Sequence, residues 1–467
     1  MPGDRRGIVI VGHGAAGLAA AVAAAESSHA RGVQADITIV DAAPEGQHGG
    51  NTRWSPSYMR MAAPDRVAPG FEEDILAAAG GRADPRYVRR MASDAPATIA
   101  WLQGHGIEFH RPTYYLSAGP PRIQPLGGGA VVIRELTRVA KAAGVSMGYE
   151  HSAERLVRGD DGSIVGVGVK PAGGEMRTLR ADAVILACGG FQGNGAMLRE
   201  HFGAGAESFK PISPSTAFNA GAGIRMALAV GASSSGDWNG MHAEPIDPRS
   251  TGSAPVVLVY PYGIVVDQTG RRFFDEGAGL VHETWETFAR TIHLSTPNRI
   301  AYAILDRMLY DIEGFERAIR SEVPPYSADS IEALARQAGI SASGLARTID
   351  AYNNAAQGDV SRFDATRADG LAADPSLDPP KSNWARPITA PPYLAYPLIG
   401  GLAYTFGGIA TNEDAQVLSS QGPIPRLYAA GEITGHFYGV APNAVAMIRA
   451  LVFGRIAGQQ AAARNLD

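Results

Sequence analysis

The N-terminal segment contains the pattern that most restricts what this chain can fold into. GIVIVGHGAAGLAAAVAAAESS (residues 7–28) reads as an apolar strand, a glycine turn and an alanine-rich helix. ADITIVDA (residues 35–42) follows as a second strand, with Asp41 at its end. Strand, helix and strand in this order form a βαβ unit, so the sequence predicts an α/β fold with a parallel sheet.

Three glycines in the turn, Gly12, Gly14 and Gly17, have the GxGxxG spacing of a dinucleotide-binding loop. The first allows the tight turn, the second lets the backbone approach a pyrophosphate, and the third lets helix and strand pack closely. The helix start offers N–H groups and a positive dipole end to the phosphates, and Asp41 is placed to bind a ribose hydroxyl. A glycine turn selected for packing alone would not require Asp41, so we predict a bound dinucleotide.

Two later segments are predicted to join the same sheet. DAVILACGG (182–190) is an apolar strand that ends in a double glycine, and RLYAAGEITG (426–435) is another that ends in Gly-Glu. The predicted Rossmann-like domain is therefore discontinuous and comprises residues 1–240 and 395–467. Residues 241–394 are predicted to form an inserted α+β capping domain, because they contain charged amphipathic helices and end in the proline-rich stretch DPPKSNWARPITAPPYLAYP.

Composition excludes several classes of function. The net charge is −5 and charged residues make up 19% of the chain, which gives no electrostatic case for a nucleic-acid partner or an anionic membrane. The single cysteine, Cys188, excludes a disulfide framework, a cysteine zinc site and an iron–sulfur cluster, so no metal site is predicted. Redox chemistry would need an organic cofactor. There is no signal-peptide pattern before residue 7 and no apolar run of membrane-spanning length, so we expect a cytoplasmic protein without a membrane span.

Seven motifs, in order, give the chain a specific resemblance. They are VIVGHGAAGLAAA, HGGNTRWSPSYMRM, ILACGGF, GIVVDQTGRRFFDEG, TFGGIATNEDAQVL, LYAAGEITG and LVFGRIAG. This set resembles the flavoprotein family of fumarate reductase and succinate dehydrogenase, and its details look most like the FAD-dependent tricarballylate dehydrogenase branch. Ketosteroid dehydrogenases look like a more distant branch.

The resemblance implies an extended FAD whose flavin ring lies between the dinucleotide domain and the cap. In membrane-bound members a histidine binds the flavin covalently, but Ala43 occupies that place here and His48 lies next to Gly49, so we expect non-covalent FAD. The residues that the resemblance assigns to the cofactor are Gly12, Gly14, Ala15, Ala16, Gly17, Asp41, Ala42, Gly49, Gly50, Asn51, Thr52, Ala153, Ala187, Gly189, Gly190, Gly431, Glu432, Ala446 and Met447.

The resemblance also indicates that the catalytic residues of fumarate reductases are missing. The positions of their acid arginine and its proton relay fall on Leu280, Val256 and Val259, and their substrate arginine falls near Ala441. Their substrate histidine corresponds to Tyr404. The candidates that remain for catalysis or substrate binding are Tyr404, Arg60, His242, Tyr262 and Tyr438. Each of these residues also has a purely structural explanation. The aromatic residues could serve packing, His242 could be a histidine of the cap whose hydrogen bonds are all made within the protein, and Arg60 could lie on the surface.

The expected function is FAD-dependent desaturation. A base would remove an acidic proton beside a carbonyl or carboxylate, and the neighbouring carbon would give a hydride to the flavin. By resemblance, the substrate is expected to be a small polycarboxylic acid, and the electron acceptor a separate partner. Dehydrogenation of a cyclic ketone such as a steroid, and a flavin-binding subunit without turnover, stay open as alternatives.

Overall fold

The computed structural model describes residues 6–113, 116 and 119–463. Its α-helices are α1 (Ala15–Ala30), α2 (Phe71–Ala78), α3 (Pro85–Gly104), α4 (Gly128–Ala142), α5 (Gly195–Phe202), α6 (Ala222–Ala229), α7 (Val281–Ser295), α8 (Ile331–Ala338), α9 (Ala342–Ala355) and α10 (Ala446–Ala463).

The strands are β1 (Arg6–Val11), β2 (Ala35–Val40), β3 (Met61–Ala63), β4 (Arg66–Val67), β5 (Phe109–His110), β6 (Gln124–Pro125), β7 (Ser146–Gly148), β8 (His151–Arg158), β9 (Ile164–Pro171), β10 (Arg177–Arg180), β11 (Ala183–Leu186), β12 (Lys210–Pro211), β13 (Ser234–Ser235), β14 (Met241–Ile246), β15 (Ile264–Val266), β16 (Ala301–Leu305), β17 (Tyr326–Ala328), β18 (Tyr393–Thr405), β19 (Gly408–Ile409), β20 (Gln416–Ser419) and β21 (Gly422–Ala429).

A six-stranded sheet brings together segments from both halves of the chain. Its strand order is β20-β21-β11-β1-β2-β7, and all neighbours are parallel except β20 and β21. Because side chains alternate along a strand, Ile8 and Ile10 of β1 face one core with α1, α3, α4 and α10, while Val9 and Val11 face another with β8, β9 and α6. The predicted α/β fold is confirmed.

Helices α1 and α10 pack tightly against each other on this sheet. A Cβ placed on Gly454 would lie 2.4 Å from the Ala16 oxygen, and one on Gly458 would lie 2.2 Å from the Ala20 oxygen. Only glycine allows the two backbones to approach this closely. The start of α10 is thereby held beside the start of α1.

A second sheet is built around the long strand β18. β12 and β16 flank it in the order β12-β18-β16-β15, and β14 and β17 also pair with it. The pairing of β14 with β18 places His242 beside Tyr404. The domain limits stay a prediction, and the limit at residue 394 falls inside β18. No helix in the described part of the chain has both the length and the apolar character needed to cross a bilayer.

Candidate active site

A cavity of about 1000 Å³ opens at the carboxyl ends of the parallel strands. Val11 at the end of β1, Asp41 after β2, Ala187 after β11 and Gly431 after β21 all lie in its wall. β1 has β2 on one side and β11 on the other, so the cavity lies where the strand order changes direction. Ligands of open α/β sheets bind at such points.

The turn between β1 and α1 has the geometry of a phosphate-binding loop. Gly12 has φ +111°, and a Cβ on it would lie 2.3 Å from the Ala187 oxygen, so no larger residue fits. At Gly14, the nearest atom to such a Cβ is the Gly49 oxygen at 3.9 Å, and Gly14 caps α1 without a side-chain hydrogen bond. The start of α1 therefore faces unfilled space of the cavity, and its N–H groups can bind an anion there.

Asp41 lies in the cavity wall next to this turn. Its carboxylate accepts hydrogen bonds from the backbone N–H groups of His13 (2.7 Å) and Ala43 (2.8 Å). Burial raises the pKa of Asp41, and the two donors oppose that rise because they favour the ionised form. A carboxylate at this place can accept from ribose hydroxyl groups.

Asn51 is held firmly in the middle of the cavity wall. Its amide nitrogen donates to the Ala403 oxygen (2.6 Å), and its amide oxygen accepts from the hydroxyls of Ser213 and Thr216 (2.8 Å each). These bonds connect Asn51 both to β18 and to the segment that contains Ser213 and Thr216. The Asn51 loop is therefore fixed in position.

Glu432 and the first turn of α10 form the next part of the wall. The Glu432 carboxylate accepts from the Thr405 N–H at 3.0 Å, and burial raises its pKa to about 7. Arg449 is 2% exposed; it donates to the Thr434 oxygen and lies 3.8 Å from the centre of the Phe437 ring. Its Nε has no hydrogen-bond partner among the described residues. A buried cation thus lies beside a buried carboxyl group in this wall.

The cofactor residues assigned by resemblance all line this cavity except Gly17, Gly49 and Gly190. Gly17 and Gly190 are points of close packing: their Cβ atoms would lie 1.9 Å from the Gly12 oxygen and 2.2 Å from the Thr405 hydroxyl. Gly49 has φ +101° and lies against Ile133. An uncapped helix start, open room at Gly14 and a buried cation fit an anionic dinucleotide, so the residues present fit FAD.

The part of the cavity next to the second sheet is lined by polar side chains. Arg122 is 5% exposed; its Nη1 donates to Asn443 Oδ1 at 3.0 Å, and its guanidinium lies 5.9 Å from the centre of the Tyr58 ring. Arg320 lines the cavity from an exposed position. Burial raises the pKa of Tyr58, and Arg320 and Arg122 oppose that rise because both lie near the phenol. His282 and Trp285 of α7 complete this wall.

His242 lies between two carboxylates in the same wall. Its Nδ1 is 2.8 Å from Glu286 Oε2, and its Nε2 is 3.2 Å from Glu244 Oε1. Burial lowers the pKa of His242, but the two hydrogen bonds outweigh that effect and raise it to about 9. The imidazole is therefore protonated at neutral pH and donates from both nitrogens.

Three of the five candidates from the sequence lie outside the cavity wall. Arg60 is buried and forms an ion pair with Asp74. The Tyr262 hydroxyl donates to the Ala365 oxygen at 2.9 Å within the core around β15 and β16. The Tyr438 hydroxyl lies 3.2 Å from the Ser235 hydroxyl. The structure therefore does not bring these three side chains into the cavity wall, whereas Tyr404 and His242 line it.

Sequence reasoning missed several polar residues of this wall, and some had a detectable signal. Glu244 is two residues after His242, and residues two apart share a face once the segment forms a strand such as β14. His282 and Trp285 are three residues apart on an amphipathic helix and share one of its faces. Arg122 and Arg320 carry no local signal, since only the tertiary fold brings their segments together.

Comparisons with known proteins identify the family of this chain. A model of the family described as "FAD binding domain" matches residues 7–444. A probable fumarate reductase of Shewanella frigidimarina is 30% identical over 100% of this chain and 76% of its own. A 4-oxocyclohexanecarboxylate 2-dehydrogenase of Sinomonas cyclohexanicum is 28% identical over 71% of this chain and 60% of its own.

A solved structure shares the whole fold. The open conformation of a flavocytochrome c3 fumarate reductase superposes with a TM-score of 0.79 and 27% identity, covering 100% of this chain and 79% of that one. The chain therefore belongs to the FAD binding domain family, within the fumarate reductase and succinate dehydrogenase flavoproteins, and is an FAD-dependent oxidoreductase.

Proposed function

We propose that this oxidoreductase acts on a CH–CH bond and desaturates a small organic acid or a related carbonyl compound. The observation that carries the proposal is Arg122, a buried arginine in the wall of the cavity that also contains the FAD cradle. A guanidinium binds a carboxylate through charge-assisted hydrogen bonds, and burial strengthens such a contact. Arg320 adds a second positive charge from the exposed side.

The chain's own residues have separable parts in this reaction. Arg122 would bind the substrate carboxylate, and Tyr58 and Tyr404 would offer hydroxyl donors to a carbonyl oxygen. Trp285 would help to exclude water from the reacting carbons. Bound FAD would supply the hydride acceptor. We further propose that the FAD is held without a covalent bond, so that acid denaturation releases it.

Within this proposal, a tricarballylate-type polycarboxylate is the substrate class that we place first, by the resemblance of the motifs. The electrons would pass to a separate acceptor, because the only cysteine, Cys188, cannot hold an electron-transfer cluster. We keep a cytoplasmic location as part of the proposal.

A cyclic ketone is the second candidate substrate. Two phenols, Tyr58 and Tyr404, line the cavity and can hydrogen-bond a ketone oxygen. The relative named 4-oxocyclohexanecarboxylate 2-dehydrogenase has a substrate name that combines a ring ketone with a carboxylate. Such a compound would use both Arg122 and a phenol.

Anaerobic titration of the holoenzyme tests these substrates. Oxidised-flavin absorbance is followed while tricarballylate, 4-oxocyclohexanecarboxylate, cyclohexanone or a 3-ketosteroid is added. We expect the carboxylates to bleach the flavin. If only the neutral ketones bleach the flavin, the substrate is a cyclic ketone and not an organic acid. If none of the compounds bleaches the flavin, the alternative of a flavin-binding subunit without turnover is favoured.

Arginine variants show whether the carboxylate is bound as proposed. Arg122→Ala should raise the carboxylate concentration needed for half reduction by about tenfold, equivalent to about 1.4 kcal/mol. Arg122→Lys should recover part of that loss, since it keeps the charge without the planar fork. Arg307→Ala is the control because Arg307 forms an exposed ion pair with Asp311. Equal behaviour of all three variants would overturn the assignment.

A further inference from the structure

Glu244, His242 and Glu286 form a continuous hydrogen-bonded chain that begins in the cavity wall. Glu244 and His242 belong to β14 and line the cavity, while Glu286 belongs to α7 and does not line it. Their side chains are 19%, 10% and 10% exposed. Of the two carboxylates in this hydrogen-bonded series, Glu244 is the one that a substrate in the cavity can reach.

His242 holds the Glu244 carboxylate at a defined place in the cavity wall. The protonated imidazole of His242 donates to both carboxylates, so two negative charges share one positive charge. The groups that face these three residues from other elements are Tyr404 of β18, Trp285 of α7, and Tyr58, whose phenol lies near both Glu244 and Arg320. An imidazolium held by Glu286 fixes the orientation of the Glu244 carboxylate.

Other groups in the cavity are less able to act as the base. Burial raises the pKa of Tyr404 far above its ordinary value, so its phenolate is costly. His242 already carries its proton. Burial lowers the pKa of His282, and Arg122 adds to that effect although Glu283 opposes it, which makes His282 a poor proton acceptor.

We propose that Glu244 is the catalytic base that takes the proton from the substrate, and that His242 and Glu286 are positioning residues that hold it. This inference rests on the proposed function. The C–H bond beside the substrate carbonyl or carboxylate breaks, and its proton forms an O–H bond with Glu244. The electron pair left on carbon becomes the new C=C bond as the neighbouring carbon releases a hydride, for which the oxidised flavin is the acceptor.

The test measures the rate of flavin reduction in the holoenzyme with 4-oxocyclohexanecarboxylate and with tricarballylate. Glu244→Gln should lower the rate constant by about a hundredfold or more, the range of a lost general base, while substrate affinity changes little. Glu244→Asp should recover part of the rate because it keeps a carboxylate. Glu283→Gln is the control: Glu283 lies on α7, as Glu286 does, and its side chain accepts from the Leu280 N–H outside the cavity wall.

The positioning role has its own readout. His242 should lose its proton at lower pH in Glu286→Gln, so the alkaline limb of the pH profile for flavin reduction should move to lower pH. Flavin content and the melting temperature identify variants that fail to fold. Reduction of Glu244→Gln at the wild-type rate, or a hundredfold loss in His282→Asn instead, would overturn Glu244 as base while leaving the proposed function intact. If neither acid reduces the wild-type flavin, the proposed function itself fails, and this inference with it.

Discussion

The imidazole of His242 and the phenol of Tyr404 are stacked, with 4.7 Å between ring centres and 25° between ring planes. Paired positions on β14 and β18 hold them together. Tyr404→Phe preserves this stack and removes only the hydroxyl. We expect flavin reduction to slow by about tenfold if the hydroxyl binds the substrate carbonyl in the transition state, at unchanged flavin content.

The matched control is Tyr262→Phe, because the Tyr262 hydroxyl donates to the Ala365 oxygen away from the cavity. This variant should keep its turnover and lose about 1 kcal/mol of unfolding free energy. Equal turnover in both variants would remove Tyr404 from the reaction.

The protonation of His242 predicts a pH dependence of stability. Its pKa is raised from 6.5 to about 9 in the folded chain, so its contribution is fully present below pH 6.5 and is lost as pH rises through about 9. The unfolding free energy of wild type relative to His242→Asn should therefore fall by on the order of 1–3 kcal/mol over this interval. Urea unfolding at several pH values measures it, and a constant difference would show that His242 is neutral.

Three glycine substitutions separate folding from cofactor binding. Gly17→Ala should fail to fold, because its Cβ would lie 1.9 Å from the Gly12 oxygen. Gly14→Ala should fold, since its Cβ meets nothing closer than 3.9 Å, but should bind FAD weakly because the methyl group occupies the room left for the phosphates. Gly46→Ala is the control, with no atom within 4 Å of its Cβ. Wild-type FAD affinity in Gly14→Ala would place the pyrophosphate elsewhere.

The raised pKa of Glu432 leads us to expect that FAD binds more tightly at higher pH. Burial raises its pKa to about 7, so the apoprotein carries a proton there at acidic pH. Cofactor hydroxyls that donate to Glu432 favour its ionised form, and binding then releases a proton. His13 stays neutral over this range, because burial and His48 lower its pKa to about 3.

Fluorescence titration of the apoprotein with FAD should show affinity rising between about pH 6 and pH 8. Glu432→Gln should bind more weakly and lose this pH dependence. An unchanged dependence in Glu432→Gln would assign the proton to another group.

The α/β fold and the FAD cofactor could be predicted from local patterns, because the strand, turn and helix around Gly12 and the acid at Asp41 follow each other in the chain. The motifs also indicated which segments approach the site. They do not show the direction of side chains, so they cannot show that Arg60 and Tyr262 lie outside the cavity wall. Arg122 could not be predicted, since the packing of distant segments brings it into the wall.

The strand order also has a consequence for biosynthesis. β21 completes the sheet beside β11, and α10 completes the cradle through its contacts with Ala16 and Ala20 of α1. A nascent chain that has emerged only as far as the cap lacks both elements. We therefore expect FAD to bind only after the C-terminal segment has left the ribosome.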